Sequence, residues 1–178
     1  MIKQSWVKET VYETVMYAME VHKELSMKGN DKIPFSGHFV NVMLNALNFT
    51  TKDKNIDRTL IIQLALLHDS IEDAGLTYEE LNQKLGKVVA DGVLALSRNE
   101  EIPYEKQIAD CIIRIKQLSK EVAIVKMADR LFNIRHRAKN WSKEKQDRYK
   151  IEAQLICDEL GYASKNLKKA LQEAIKEY

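Results

Sequence analysis

Long apolar runs and cysteine motifs are missing from this 178-residue chain, and strand-like alternation is scarce. No apolar stretch approaches the roughly 20 residues needed to span a bilayer, and no signal-peptide pattern is visible, so no membrane partner is expected. The two cysteines, Cys111 and Cys157, lack metal-site spacing and fall in helical patterns. They read as buried thiols in a reducing cytoplasm rather than as a disulfide framework or structural zinc site. Internal repeats, low-complexity tracts and interdomain linkers are absent, so one domain over residues 1–178 is expected. A net charge of +2 is too small to suggest a nucleic-acid module. The basic stretch 126–139 has only Phe132 among its cations, without an aromatic ladder, so no nucleic-acid partner is expected. No feature compels a homo-oligomer, although the sequence permits one.

What the chain has is helical periodicity. Ser5 is placed to cap a first helix through about Leu25, with Val7, Val11, Ala18 and Val21 on its buried side. Gly29, Pro34 and Gly37 mark a loop before a second helix at roughly 38–49. A third helix ends at Gly75, and Thr77-Tyr78-Glu79-Glu80 resembles a capping box opening a further helix that stops near Gly86. Helices are predicted at about 87–97, 104–118, 121–140, 143–159 and 164–177, giving a single-domain, all-α bundle.

The informative cluster lies in the third helix. His68-Asp69 is followed at once by Glu72-Asp73, placing a histidine and three carboxylates on two turns of an apolar helix. Ionised carboxylates in such a setting ask for a cation. His68 and Asp69 suit direct metal ligation, and Glu72 and Asp73 are placed to manage protons beside them. Further ligands are available in His38, which opens an apolar helical run, and in Asp129, with Asn133 one turn along the same face. His38, His68, Asp69 and Asp129 make a mixed nitrogen and oxygen set, better suited to manganese, iron or zinc than to calcium. Five basic residues between Lys126 and Lys139 read either as a field that attracts a polyphosphate or as a solvated face.

The order His, then His-Asp, then Asp resembles the HD metal-dependent phosphohydrolase superfamily. Glu72-Asp73 and the run Lys126-Met127-Ala128-Asp129-Arg130-Leu131-Phe132-Asn133-Ile134-Arg135 are similar to the small alarmone hydrolases and to the hydrolase domain of Rel/Spo-type proteins. The resemblance covers about Val11 to Leu171. It implies an all-α HD fold, a divalent metal cofactor, manganese, and a small-molecule nucleotide polyphosphate substrate. The implied reaction is release of pyrophosphate from the 3′-diphosphate of guanosine tetra- or pentaphosphate, with Glu72 and Asp73 as the catalytic acids. Lys28, Asn133, Lys145 and Tyr149 match positions that contact substrate in the family. Arg98 with Tyr104 looks like a signature of small bacterial HD phosphohydrolases and adds Arg98 as a substrate-binding candidate.

Three positions depart from the family pattern. Met27 stands where an arginine usually packs on the guanine, Phe39 replaces a proline, and His136 replaces a threonine. A thioether offers neither fixed charge nor fork geometry, so Met27 bears on base selectivity rather than on hydrolysis. His22 and His136 are assigned no metal role; His136 reads as a helix-surface residue. Three readings stay open: an alarmone hydrolase, a phosphohydrolase of another nucleotide or phosphorylated cofactor, and a catalytically silent nucleotide-sensing module.

Overall fold

The computed structural model describes residues 9–27, 30–136 and 141–178. Helix α1 (Glu9–Val21) leads into a short antiparallel hairpin, β1 (Ser26–Met27) with β2 (Asn30–Pro34). The stretch read as a loop from Gly29 and Pro34 is therefore partly a hairpin, the one departure from an all-helical chain among the described residues. Helix α2 (Ser36–Asn48) begins two residues after Pro34, and α3 (Arg58–Leu67) starts where Asp57 accepts a hydrogen bond from the Leu60 amide at 3.1 Å.

The third predicted helix is in fact two. His68 and Asp69 turn out of α3, and α4 (Ser70–Ala74) follows and ends at Gly75, whose φ of 71° suits glycine. The expected capping box is present, opening α5 (Tyr78–Leu85). Then come α6 (Lys87–Leu96), α7 (Tyr104–Ile115), α8 (Lys120–Arg135), α9 (Lys143–Leu160) and α10 (Lys165–Glu177). Helix α1 ends at Val21 rather than near Leu25, and α7 at Ile115 rather than 118. No helix among the described residues is long and apolar enough to cross a membrane.

Helix α8 is the axis of the fold, packing against α2, α3, α6, α9 and α10. Its apolar residues Val122 to Val125, Met127 and Ala128, with Leu131, Phe132 and Ile134, are buried on all sides, as expected of a core helix rather than an amphipathic one. Such a helix can carry charge only where each charge finds a partner. Glu121 accepts the Asp57 amide at 2.9 Å, and Lys126 donates to the Leu96 carbonyl at 2.9 Å, at the C-terminal end of α6. Arg130 reaches Glu152 of α9 at 3.3 Å. Lys126 and Arg130 are thus buried ties between helices, which removes two of the five cations from the expected solvated or phosphate-attracting face. Arg135 is exposed, and positions 137 and 139 lie outside the described residues.

Candidate metal centre

Three segments bring four donor atoms to one point. His38 comes from the first turn of α2, wedged against the rings of Phe35 and Phe132. His68 and Asp69 come from the turn between α3 and α4, and Asp129 from the middle of α8. Neighbouring residues on an uninterrupted helix point about 100° apart and do not converge. The break after Leu67 lets both His68 and Asp69 face the same centre, with Nε2 and Oδ2 3.1 Å apart. Helical bonding resumes at once, the Asp73 amide donating to the Asp69 carbonyl at 2.8 Å.

His38 Nε2 lies 3.1 Å from His68 Nε2 and 3.2 Å from Asp69 Oδ2. Asp129 Oδ1 lies 3.5 Å from His38 Nε2 and 3.7 Å from His68 Nε2. His38, His68 and Asp69 form the tightest group, and Asp129 approaches it from α8. Ligand bonds of about 2.0–2.2 Å at one ion place neighbouring donors roughly 3.0–3.6 Å apart, so the spacing fits a first-row divalent ion. The supporting contacts fit as well. His68 Nδ1 is 2.8 Å from the Ala65 carbonyl, which can only accept, so Nδ1 carries a proton and Nε2 is the nitrogen that could ligate an ion. Asn133 donates to Asp129 Oδ1 at 2.6 Å, fixing that carboxylate.

The electrostatics express the same crowding. Burial alone would lower the His68 pKa, but the charges and hydrogen bonds of Asp69 and Asp129 outweigh it and hold the imidazole well above its ordinary value. Burial would raise both carboxyls, yet His68 and His38 hold Asp69 well below the usual range and bring Asp129 to about 2. The two carboxylates thus favour the protonated form of His68, as they would favour any positive charge at this point.

Glu72 and Asp73 sit on α4, just beyond this centre. Glu72 is exposed, and its Oε1 accepts the Arg98 amide at 2.7 Å; Asp73 is half-buried. Arg98 does not extend freely. Its guanidinium meets Glu152 at 3.4 Å and lies 5.0 Å from the Tyr104 ring centre. Asn133, expected at the substrate, is engaged with Asp129. Tyr149 lies under Arg130, whose guanidinium is 3.9 Å from its ring centre, and against Trp141 at 5.0 Å. Lys145 is exposed and covers the Trp141 ring at 4.2 Å. Lys28 and the Met27 side chain lie outside the described residues.

His136 stacks on Phe132 at 4.2 Å and bonds the Phe132 carbonyl, so it backs the ring that contacts His38 instead of entering the cluster. His22 is buried against Phe35 and Phe39, its Nδ1 on the Ala18 carbonyl, and burial lowers its pKa. Both cysteines are free and buried. A cleft of about 560 Å³ between residues 49–55 and 162–166 shares no residue with the cluster.

Sequence reasoning missed Glu152. Its signal was available: it is a lone acid on the α9 face that buries Ala153, Ile156, Cys157 and Leu160.

No protein-family model matches the chain. The guanosine-3′,5′-bis(diphosphate) 3′-pyrophosphohydrolase of Danio rerio is 27% identical to it, over 90% of this chain and 89% of that protein. The Homo sapiens protein of the same name is 24% identical over 93% and 92%. A longer namesake from Aquifex aeolicus is 30% identical over 71% of this chain, but the match spans only 18% of that protein. A solved structure, described as a metazoan ortholog of SpoT that hydrolyses ppGpp, has a TM-score of 0.81 at 22% identity and 98% coverage of both chains. That likeness establishes a shared helical fold.

Proposed function

Taking the chain as a homologue of the HD-type alarmone hydrolases, we propose that it is a cytoplasmic, single-domain, manganese-dependent 3′-pyrophosphohydrolase of guanosine tetra- and pentaphosphate. The observation that carries the reading is the convergence of His38, His68, Asp69 and Asp129 with donor spacings of 3.1–3.7 Å. These four residues would hold the ion. When bound, a divalent ion supplies Lewis-acid polarisation of the phosphate and activation of water at neutral pH.

The remaining chemistry falls to the chain itself. Water attacks the phosphorus attached to the 3′ oxygen, and that P–O bond breaks, giving pyrophosphate and a free 3′-hydroxyl. One proton must leave the water and one must reach the departing oxygen. Glu72 and Asp73, a turn beyond Asp69, serve as the pair that carries them. Glu72 is held for this by the Arg98 amide at 2.7 Å. Asn133 keeps the Asp129 carboxylate oriented toward the centre. Lys28, Lys145, Tyr149 and Arg98 are assigned to substrate contact on the family resemblance.

Met27, in place of the usual guanine-packing arginine, favours a second reading: the same hydrolysis on another nucleotide polyphosphate. One experiment separates the two. Manganese-loaded protein is offered guanosine tetraphosphate beside a nucleotide panel, and phosphate and pyrophosphate are quantified. Pyrophosphate from the alarmone, lost in Asp69→Ala, supports the first reading. Turnover of another nucleotide alone supports the second, and no turnover with metal bound refutes both.

A further inference from the structure

We propose that Glu152 is a positioning residue for Glu72, acting through Arg98. The inference rests on the reading of Glu72 as a proton-carrying group. One carboxylate oxygen of Glu152, Oε2, meets two guanidinium groups, Arg98 Nη2 at 3.4 Å and Arg130 Nη2 at 3.3 Å. Each guanidinium also lies over an aromatic ring, Arg98 over Tyr104 and Arg130 over Tyr149. The result is a ladder, Tyr104–Arg98–Glu152–Arg130–Tyr149, joining the α6–α7 connection, α8 and α9. Its two ends matter to the centre. Arg130 is the residue after Asp129, and the Arg98 amide donates to Glu72 Oε1 at 2.7 Å.

The segment that presents this amide is tied down from several directions. Lys126 donates to the Leu96 carbonyl at 2.9 Å, and Arg114 donates to the Leu94 and Ser97 carbonyls, the latter at 2.7 Å. These cations fix the chain up to Ser97. Beyond Ser97 the Arg98 side chain is held by the ion pair to Glu152 and the stack on Tyr104, and further along Asn99 accepts from the Glu101 amide and Gln107 donates to the Ile102 carbonyl. Glu152 therefore restrains, through its ion pair, the residue whose N–H holds Glu72. A buried carboxylate between two cations is costly to desolvate and weak as a source of stability alone. Its location suits orientation better.

Glu152→Ala would leave Arg130 buried without a carboxylate, so the informative variants are Glu152→Gln and Arg98→Ala. The first measurement is amide hydrogen exchange on the metal-free protein. At residue 98, exchange should quicken about tenfold or more in both variants, while amides of α8 keep their protection. Unchanged exchange at residue 98, or loss of protection throughout α8, overturns the proposal. The second is steady-state kinetics with manganese and guanosine tetraphosphate. In Glu152→Gln, kcat should fall about ten- to a hundredfold with KM little changed, and the same substitution should cost nothing further in a Glu72→Gln background. An equal fractional loss in both backgrounds marks a general structural role and overturns it. If the wild-type protein leaves the alarmone uncleaved, the functional reading fails, and the exchange measurement still judges the clamp.

Discussion

His38 Nε2 and His68 Nε2 lie 3.1 Å apart although 30 residues separate them in the chain. Two imidazole nitrogens at that distance need something positive between them, either a shared proton or a cation. With Asp69 and Asp129 adding two carboxylates, a divalent ion satisfies all four donors where one proton does not. Manganese should therefore stabilise the folded protein, by about 2.7 kcal/mol at a hundredfold excess over its dissociation constant. Asp69→Ala and His68→Ala should each abolish most of that shift. The check is a thermal melt with and without manganese, alongside metal content after desalting. A full manganese shift in both variants would place the ion elsewhere.

Glu72 and Asp73 contribute none of the four converging atoms, so they separate binding from chemistry. Glu72→Gln and Asp73→Asn should keep the metal content of the wild type yet lose about two to four orders of magnitude in turnover. Atomic absorption and pyrophosphate release on the same preparations test this. Wild-type rates in both variants would mean that the proton carriers lie elsewhere.

The crowded charges also set a pH signature for metal-free protein. His68 is raised above its ordinary value of 6.5, so its stabilising contribution is complete below 6.5 and declines as pH rises through the folded value. Asp129 is depressed from 3.8 to about 2, so its contribution is complete above 3.8 and is lost as pH falls toward 2. Chelator-treated protein should be most stable between about pH 4 and 6.5. A bound ion requires His68 Nε2 without its proton, so the manganese-induced rise in Tm should grow with pH. Melts from pH 3 to 9 with chelator or manganese test both trends. A metal-free Tm that climbs steadily to pH 9 would contradict the assignment of His68 as a buried cation.

Much of this was legible in the sequence because local rules dominate an all-helical chain. Thr77 and Glu80 announced their capping box, and Gly75 and Gly86 their stops, through contacts a few residues apart. The four converging residues were legible because acids and histidines stand out on apolar faces. What escaped depends on partners distant in sequence. Nothing local says that His68 and Asp69 leave the helical path, since the break is stabilised by meeting His38 and Asp129. Lys126 and Arg130 read as solvated or phosphate-attracting charges because their partners, the Leu96 carbonyl and Glu152, come from other helices. The strand pair Ser26–Met27 and Asn30–Pro34 was hidden by its brevity.

Gly92 supplies a last test, of how closely the helices carrying the centre are packed. Glycine inside a helix costs about 1 kcal/mol relative to alanine, so its place in α6 asks for a reason. A Cβ there would sit 2.4 Å from Leu64 Cδ2 and 3.5 Å from Val122 Cγ2. Leu64 is fully buried and one turn before His68, so relief can come only by moving α3 or its side chain. Overpacking of this kind costs about 1–3 kcal/mol, which exceeds the gain in helix propensity at most values in that range. Gly92→Ala should therefore destabilise the protein by up to roughly 2 kcal/mol in urea unfolding and weaken manganese binding by displacing the end of α3. Adding Leu64→Val should restore part of the loss, because it removes volume at the point of contact. Strict additivity of the two substitutions would show that α3 and α6 do not press on each other there.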